Sequence, residues 1–280
     1  MRKIPEAHYR IPVPMTEVRP GVHRGMRAES GQLFMGVTDF LRHPDLRRLD
    51  VRRSLLDPYL NLHVRIFEQR SAAKLMVAAD LSASMGVEAS KRQILTDLTT
   101  ALAWGARRLG DRIGFVGFAE NTRRELFMPP LMGVGWLPRW RVRIHNDPWG
   151  GRCADGVSML PRHLPAHRSL VFLVSDFHWP DRLIRLALIR LAKHFVVPIV
   201  VWSRNEYENW PNWGLKRVRD AETGRETLLM LRPGWRGRLR QAYGERRHHL
   251  TRLFRAVGRR PLWMEDRYDP VALQRYFDSV

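Results

Sequence analysis

From about residue 71 to the carboxyl terminus, continuous apolar runs alternate with segments of helical periodicity. The first run, Leu75–Ala79, is typical of a parallel strand that is buried on both faces. Between Lys91 and Leu109, apolar residues recur at helical spacing and predict an amphipathic helix. Further strands are predicted over Ile113–Phe118, Ser169–Ser175 and Phe195–Trp202, and further helices over Asp181–His194, Trp235–Val257 and Pro270–Phe277. Strands that alternate with helices predict an α/β fold with a doubly wound, mostly parallel sheet.

The remaining segments have weaker patterns. Residues 1–70 are rich in Arg, Pro and Gly, and Asn61–Phe67 alternates polar and apolar residues as a half-exposed strand does. We therefore predict an irregular, β-rich amino-terminal arm over residues 1–70, followed by an α/β domain over residues 71–280. Within that domain, Glu125–Asp147 carries two adjacent prolines and two glycines and is predicted to be a loop.

Two further segments complete the predicted domain. Trp213–Leu231 contains a turn at Asp220–Gly224 and is predicted to form two short strands. Pro261–Met264 is predicted to be a last edge strand. Both segments follow the predicted strand Phe195–Trp202, so they extend the domain beyond its central strands.

The chain is strongly basic. Its 280 residues include 48 Lys and Arg against 28 Asp and Glu, a formal charge of +20, and since five are lysines, 43 are arginines. This balance favours acidic partners such as nucleic acid, an anionic membrane or an acidic protein surface, while a general bias towards arginine is the alternative explanation. Because no nucleic-acid-binding motif accompanies the arginines, a solvated surface is preferred over a nucleic-acid interface.

The sequence favours a cytoplasmic protein. A single cysteine, Cys153, excludes an internal disulfide and suits a reducing compartment. Met1–Met15 contains three prolines and no apolar segment, so no secretory signal is expected. The longest apolar run, Phe195–Trp202, has eight residues, against the roughly 20 that a membrane-spanning helix needs. Peripheral association with the inner membrane is the alternative.

Oxygen-bearing side chains follow two of the predicted strands. Asp80 ends the first strand, Ser82 and Ser84 follow it, and Asp176 ends the third strand. In open α/β sheets ligands bind at the carboxyl ends of the strands, and Mg²⁺ prefers oxygen ligands. We therefore predict that these four residues hold Mg²⁺ or another divalent cation.

Two readings without a metal remain open. The aspartates and serines could cap helices and turns. Alternatively, Arg152 could reach Asp80 or Asp176 and replace the metal with a charge-assisted ion pair.

Four groups of residues also resemble a known family. They are Gly21–Arg27 with Leu46–Asp50 and Leu62–Glu68; Asp80–Met85; Leu173–Phe177; and Pro211–Gly224. In this order they resemble the von Willebrand-factor-A-like proteins that accompany MoxR-type AAA+ ATPases in bacteria, domain-of-unknown-function family fifty-eight. The resemblance implies a von Willebrand A-like fold in which Asp80, Ser82 and Ser84 belong to a metal-ion-dependent adhesion site.

The chain departs from the family pattern at this site. The adhesion-site threonine is expected after a glycine pair, but Gly150-Gly151 is followed by Arg152-Cys153. The adhesion site is therefore expected to be degenerate. The face around it is the predicted partner-binding surface, and its candidate residues are Gly151, Arg152, Asp155 and His178.

The resemblance implies a non-catalytic adaptor. Such a protein would work with a MoxR-type ATPase in assembly or maturation of a client protein complex, of which methanol dehydrogenase maturation is one example. An arginine-rich nucleic-acid-associated protein is the alternative function. A metal hydrolase using Asp80 and Asp176 ranks last, because no nucleophile or base accompanies the two carboxylates. The chain has no phosphate-binding loop of the G-x-x-x-x-G-K-[ST] type and is not expected to hydrolyse nucleotides itself.

Overall fold

The computed structural model describes residues 4–9, 20–24, 33–68, 70–221 and 223–279. These residues form two compact units, one within residues 11–73 and the other within residues 74–280 together with residues 4–9. Residues 4–9 belong to the larger unit, and the predicted division after residue 70 stays a prediction. Two parts of the family-like motifs, Gly25–Arg27 and Glu222, lie outside the described residues.

The smaller unit is built from short antiparallel pairs. Its elements in chain order are β1 (Pro20–Arg24), β2 (Leu33–Asp39), α1 (Val51–Leu55), β3 (His63–Glu68) and β4 (Arg70–Ser71). Strand β1 pairs with β4, and β2 pairs with β3. Strand β3 confirms the alternating pattern predicted over Asn61–Phe67. The β-rich character expected of the amino-terminal region is therefore confirmed.

The larger unit alternates strands and helices. Its elements are β5 (Lys74–Asp80), α2 (Ala83–Gly86), α3 (Ala89–Leu109), β6 (Arg112–Phe118), β7 (Thr122–Met132), α4 (Leu137–Asn146), β8 (Leu170–Ser175), α5 (Asp181–Arg190), β9 (Phe195–Trp202), β10 (Gly214–Arg219), β11 (Glu226–Leu231), α6 (Trp235–Ala256), β12 (Leu262–Glu265) and α7 (Pro270–Asp278). Strands β10 and β11 form a separate antiparallel hairpin, as the turn between them predicts.

Six strands of the larger unit form one sheet in the order β12-β9-β8-β5-β6-β7. All neighbours are parallel except β6 and β7, so the predicted mostly parallel α/β sheet is confirmed. Strand β5 lies between β6 and β8, where the order of the strands along the chain reverses. Such a reversal opens a crevice at the carboxyl ends of the strands. Asp80, the last residue of β5, lies at this position.

The loop predicted over Glu125–Asp147 was wrong, because the structure has strand β7 and helix α4 there. Pro129 and Pro130 interrupt a strand pattern, but β7 is an edge strand, where a missing N–H group is tolerated. Helix α4 buries Trp140 and Ile144 on one side. Prolines and exposed arginines therefore made β7 and α4 difficult to recognise in the sequence.

No helix among the described residues combines the length and the apolar character that are needed to cross a bilayer.

Trp140 tests how strongly α4 is fixed to the sheet. Its ring is 1% exposed and lies edge-on to Phe115, with 5.0 Å between the ring centroids. Because truncation leaves a large cavity, we expect Trp140→Ala to lower the free energy of unfolding by about 3–5 kcal/mol in urea titrations. Val142, in the same helix, is 61% exposed, and Val142→Ala should change stability by less than about 0.5 kcal/mol. Equal effects of the two substitutions would contradict this packing.

Candidate functional site

Asp80 and Asp176 come together at the carboxyl edge of the sheet, as predicted. Asp80 ends β5, and Asp176 follows directly after the neighbouring parallel strand β8. The Ser175 hydroxyl, one residue before Asp176, donates to Asp80 Oδ2 at 2.7 Å. Both aspartates are fully buried. A partner protein therefore cannot touch either carboxylate directly.

Asp80 organises the loop that follows β5. Its Oδ1 accepts a hydrogen bond from the Ser82 backbone N–H at 2.9 Å, and its Oδ2 accepts a second bond from the Trp179 indole at 2.8 Å. Burial raises the pKa of Asp80, and the nearby negative charge of Asp176 raises it further. Hydrogen-bond donors that follow both strands hold this carboxyl group in place. Both of its oxygens therefore already accept hydrogen bonds from the protein.

The two serines of the D-x-S-x-S loop, residues 80–84, contact each other. Their hydroxyl oxygens are 3.2 Å apart; Ser82 is buried, and Ser84 is partly exposed. The glycine pair lies beside this loop, because the Gly150 N–H donates to the Leu81 carbonyl at 3.0 Å. The segment in which the family threonine is expected is thus close to the loop, although its hydroxyl is missing.

The ammonium group of Lys91 lies in the middle of these groups. Lys91 is completely buried, and its Nζ is 2.9 Å from Asp176 Oδ2 and 2.5 Å from Glu206 Oε1. It also donates to the Ser84 carbonyl at 3.2 Å. A lysine ammonium has three N–H donors, and three acceptors surround it here. We call Lys91, Asp176, Glu206 and the Ser84 carbonyl the Lys91 cluster.

Opposite charges favour the ionised forms of Lys91 and Asp176. Burial alone would raise the pKa of Asp176, but the charge of Lys91 holds it below its usual range. Burial alone would lower the pKa of Lys91, but Asp176 and Glu206 raise it above its usual range. Glu206 is positioned by a short 3₁₀ helix, in which it forms a capping box with Ser203. The cluster therefore contains a stable ammonium rather than a free amine.

This donor set does not fit a divalent cation well. Mg²⁺ keeps several waters and needs oxygen atoms arranged around it, whereas the Asp80 and Asp176 carboxylates are fully buried and already accept hydrogen bonds. The Lys91 ammonium occupies acceptors that an ion would need. Among the described residues, no group of three or more His, Cys, Asp or Glu side chains is arranged to hold a metal. The metal at Asp80, Ser82, Ser84 and Asp176 stays a prediction.

The predicted partner-binding residues lie within or after the glycine pair and on the segment that follows Asp176. Arg152 and Asp155 are exposed on the segment after the glycine pair, and Gly151, half-buried, has a φ of +126° that favours glycine. The Arg152 backbone N–H donates to Glu120 Oε1 at 2.9 Å, but its guanidinium pairs with neither Asp80 nor Asp176. The ion pair that was considered for Arg152 is formed by Lys91 instead.

His178 packs against an aromatic residue, Trp202, at the same carboxyl edge of the sheet. It is exposed, and its ring stacks on Trp202, with 6.0 Å between the centroids and an interplanar angle of 3°. The Trp202 indole donates to the Asp176 backbone carbonyl at 2.9 Å. Because Trp202 holds the His178 ring in a fixed orientation, His178 is suited to contact a partner protein.

Three important residues were missed by the sequence reasoning: Lys91, Glu206 and Trp179. Lys91 had a detectable signal, because it precedes Ile94 and Leu98 at helical spacing and so lies on the apolar face of α3. Glu206 ends a Ser-x-x-Glu pattern directly after β9, which is the pattern of a capping box. No pattern in the sequence indicated that the Trp179 indole would donate to Asp80.

Comparisons with known proteins agree with the family resemblance. Residues 44–250 match the family described as protein of unknown function DUF58. A Paracoccus denitrificans protein, described as an uncharacterized protein in the moxR 3′ region, is 35% identical over 103 residues. These residues cover 35% of this chain and 94% of that protein.

Two solved structures are similar to parts of this chain. One is an aerotolerance-related membrane protein from Bacteroides fragilis, with 12% identity, a TM-score of 0.42, and coverage of 74% of this chain and 98% of that one. The other is a von Willebrand factor type A protein from Catenulispora acidiphila, with 13% identity, a TM-score of 0.42, and coverage of 76% of this chain and 43% of that one. The predicted α/β class with a mostly parallel sheet is confirmed by the strand order and pairing of the structure itself.

A double-mutant cycle tests the Lys91 cluster. Because Lys91→Met leaves Asp176 buried without its cation, we expect a loss of about 3–5 kcal/mol of stability in urea unfolding. Asp176→Asn should also destabilise, but the double variant should lose clearly less than the sum of the two. Lys193 is exposed, so Lys193→Met serves as the control and should be nearly neutral. Additive losses at Lys91 and Asp176 would show that the two side chains do not interact.

Proposed function

The chain belongs to the DUF58 family of proteins of unknown function, and we propose that it is a non-catalytic adaptor that binds protein partners at the carboxyl edge of its sheet. In this proposal it works with a MoxR-type AAA+ ATPase, which supplies energy for the assembly or maturation of a client protein complex. The observation that carries the proposal is the similarity to the protein in the moxR 3′ region. The work would be done in the cytoplasm or at the inner face of a membrane.

The chemistry of the site supports an adaptor over a hydrolase. Asp80 and Asp176 are buried and hydrogen-bonded, and Lys91 has a raised pKa, so none of them is an accessible general base. Burial also raises the pKa of Cys153, whose thiol donates to Asp155 at 3.2 Å. A thiol with a raised pKa is a poor nucleophile. These groups stabilise the edge of the sheet rather than prepare it for covalent chemistry.

The exposed rim of the carboxyl edge supplies the first docking surface. Arg152, Asp155 and His178 combine a cation, an anion and a stacked imidazole around the buried network. Mixed charges of this kind favour a particular partner and a particular orientation more than they add affinity. Since the buried cluster satisfies its own charges, a partner would contact outward side chains such as these rather than the buried carboxylates.

The β10–β11 hairpin supplies a second, apolar surface. Leu215 pairs across the hairpin with Met230, and Arg217 pairs with Leu228, so these four side chains share one face. Leu215 is 67% exposed, and the other two apolar residues of this face are exposed to a similar degree. Exposed apolar patches are typical of protein–protein or membrane interaction sites. The hairpin therefore favours a protein partner.

Binding to a purified MoxR-type ATPase of the same organism tests the proposal. At low and at physiological salt we expect the ATPase to bind, and we expect Arg152→Glu and Leu215→Glu each to weaken binding by roughly tenfold, or about 1.4 kcal/mol. Arg168 is exposed just before β8, at the opposite edge of the sheet, so Arg168→Glu is the matched control and should bind like the wild type. No binding at low salt, or equal weakening by the control, would contradict the adaptor.

The same preparation separates the adaptor from the nucleic-acid alternative. The adaptor is expected to bind duplex DNA weakly and to release it near physiological salt, because arginines make non-specific phosphate contacts. Sub-micromolar DNA binding with a steep salt dependence would favour the alternative.

A further inference from the structure

The Lys91 cluster has the features of an occupied cation site. The ammonium contacts one oxygen from each of three segments: Ser84 of the D-x-S-x-S loop, Asp176 after β8 and Glu206 after β9. A bound divalent ion would draw the same kinds of oxygen together. In this chain the Lys91 ammonium draws these oxygens together. Its side chain extends from the first turn of α3.

We propose that the Lys91 ammonium is the resident cation of the D-x-S-x-S loop, so that the loop is held in its native arrangement without a divalent metal. Lys91 is completely buried, and each of its three N–H donors has an oxygen acceptor. A divalent ion at Ser82 and Ser84 would lie beside this ammonium and be repelled by it.

The choice of a lysine supports this role. The chain has 43 arginines and five lysines, yet the buried cation of the site is a lysine. An ammonium is a compact point charge, whereas a guanidinium is a broad, planar fork. The compact group resembles a metal ion in shape and can donate hydrogen bonds to oxygens in three directions.

Removal of the ammonium should allow the site to bind a divalent metal ion. Lys91→Ala would leave the carboxylates of Asp176 and Glu206 and the Ser84 carbonyl without their cation. Carboxylate, carbonyl and water oxygens are ligands for Mg²⁺ and Mn²⁺. The variant should therefore acquire the metal site that the wild type does not need.

A Mn²⁺ titration of the full chain, followed by electron paramagnetic resonance of the free ion, is the test. The wild type and Lys193→Ala should bind no Mn²⁺ at millimolar concentration. Lys91→Ala should bind one equivalent, which Mg²⁺ displaces, and a second substitution, Asp176→Asn, should abolish that binding. One equivalent bound by the wild type and lost in Asp80→Ala would overturn the proposal. A folded Lys91→Ala protein that binds no Mn²⁺ would overturn it as well.

A second measurement decides the question if Lys91→Ala does not fold. In the wild type, the Lys91 ammonium protons should exchange slowly with water and give a distinct lysine NH₃⁺ signal in nitrogen–proton NMR, because the group is buried and hydrogen-bonded. Added Mg²⁺ should leave this signal unchanged. A saturable shift or loss of the signal with Mg²⁺ would overturn the proposal. Neither result depends on an ATPase partner, so a failure here is distinct from a failure of the adaptor.

Discussion

The contact between the Lys91 ammonium and its two carboxylates constrains the whole carboxyl edge of the sheet. A buried charge without a partner is very costly, so Lys91, Asp176 and Glu206 stabilise the fold only when their three segments meet. Helix α3, the end of β8 and the 3₁₀ helix after β9 are thereby fixed relative to the D-x-S-x-S loop. Asp80 completes the arrangement, because it accepts hydrogen bonds from both strand ends. The exposed residues at the same edge of the sheet are therefore held on fixed segments.

A rigid edge whose charges are internally satisfied suits recognition better than catalysis. The buried groups present no accessible base, while Arg152, Asp155 and His178 face outward on well-supported segments. The hairpin adds apolar surface of the kind found in protein interfaces. The proposed adaptor joins these observations with the similarity to the protein in the moxR 3′ region. In this proposal the formal charge of +20 would speed association with an acidic partner surface.

The sequence predicted most of the sheet, because buried parallel strands such as Leu75–Ala79 have continuous apolar patterns. It failed between residues 125 and 147, where edge-strand prolines and exposed arginines hid β7 and α4. Within the site, the convergence of Asp80 and Asp176 followed from the parallel strands. The cation did not, because contact between Lys91 and Glu206 depends on tertiary packing across more than a hundred residues of chain, and a charged residue in a helical pattern is ordinarily solvated.

The central claim is that an ammonium, and not a metal ion, balances the buried carboxylates. The most direct measurement is a crystal structure of the wild-type protein grown with Mn²⁺ and analysed by its anomalous signal. The account predicts no anomalous peak within coordination distance of Ser82, Ser84 or Asp176, and clear density for the Lys91 ammonium between Asp176 and Glu206. A strong anomalous peak at the two serines, with the Lys91 side chain displaced from Asp176, would contradict it.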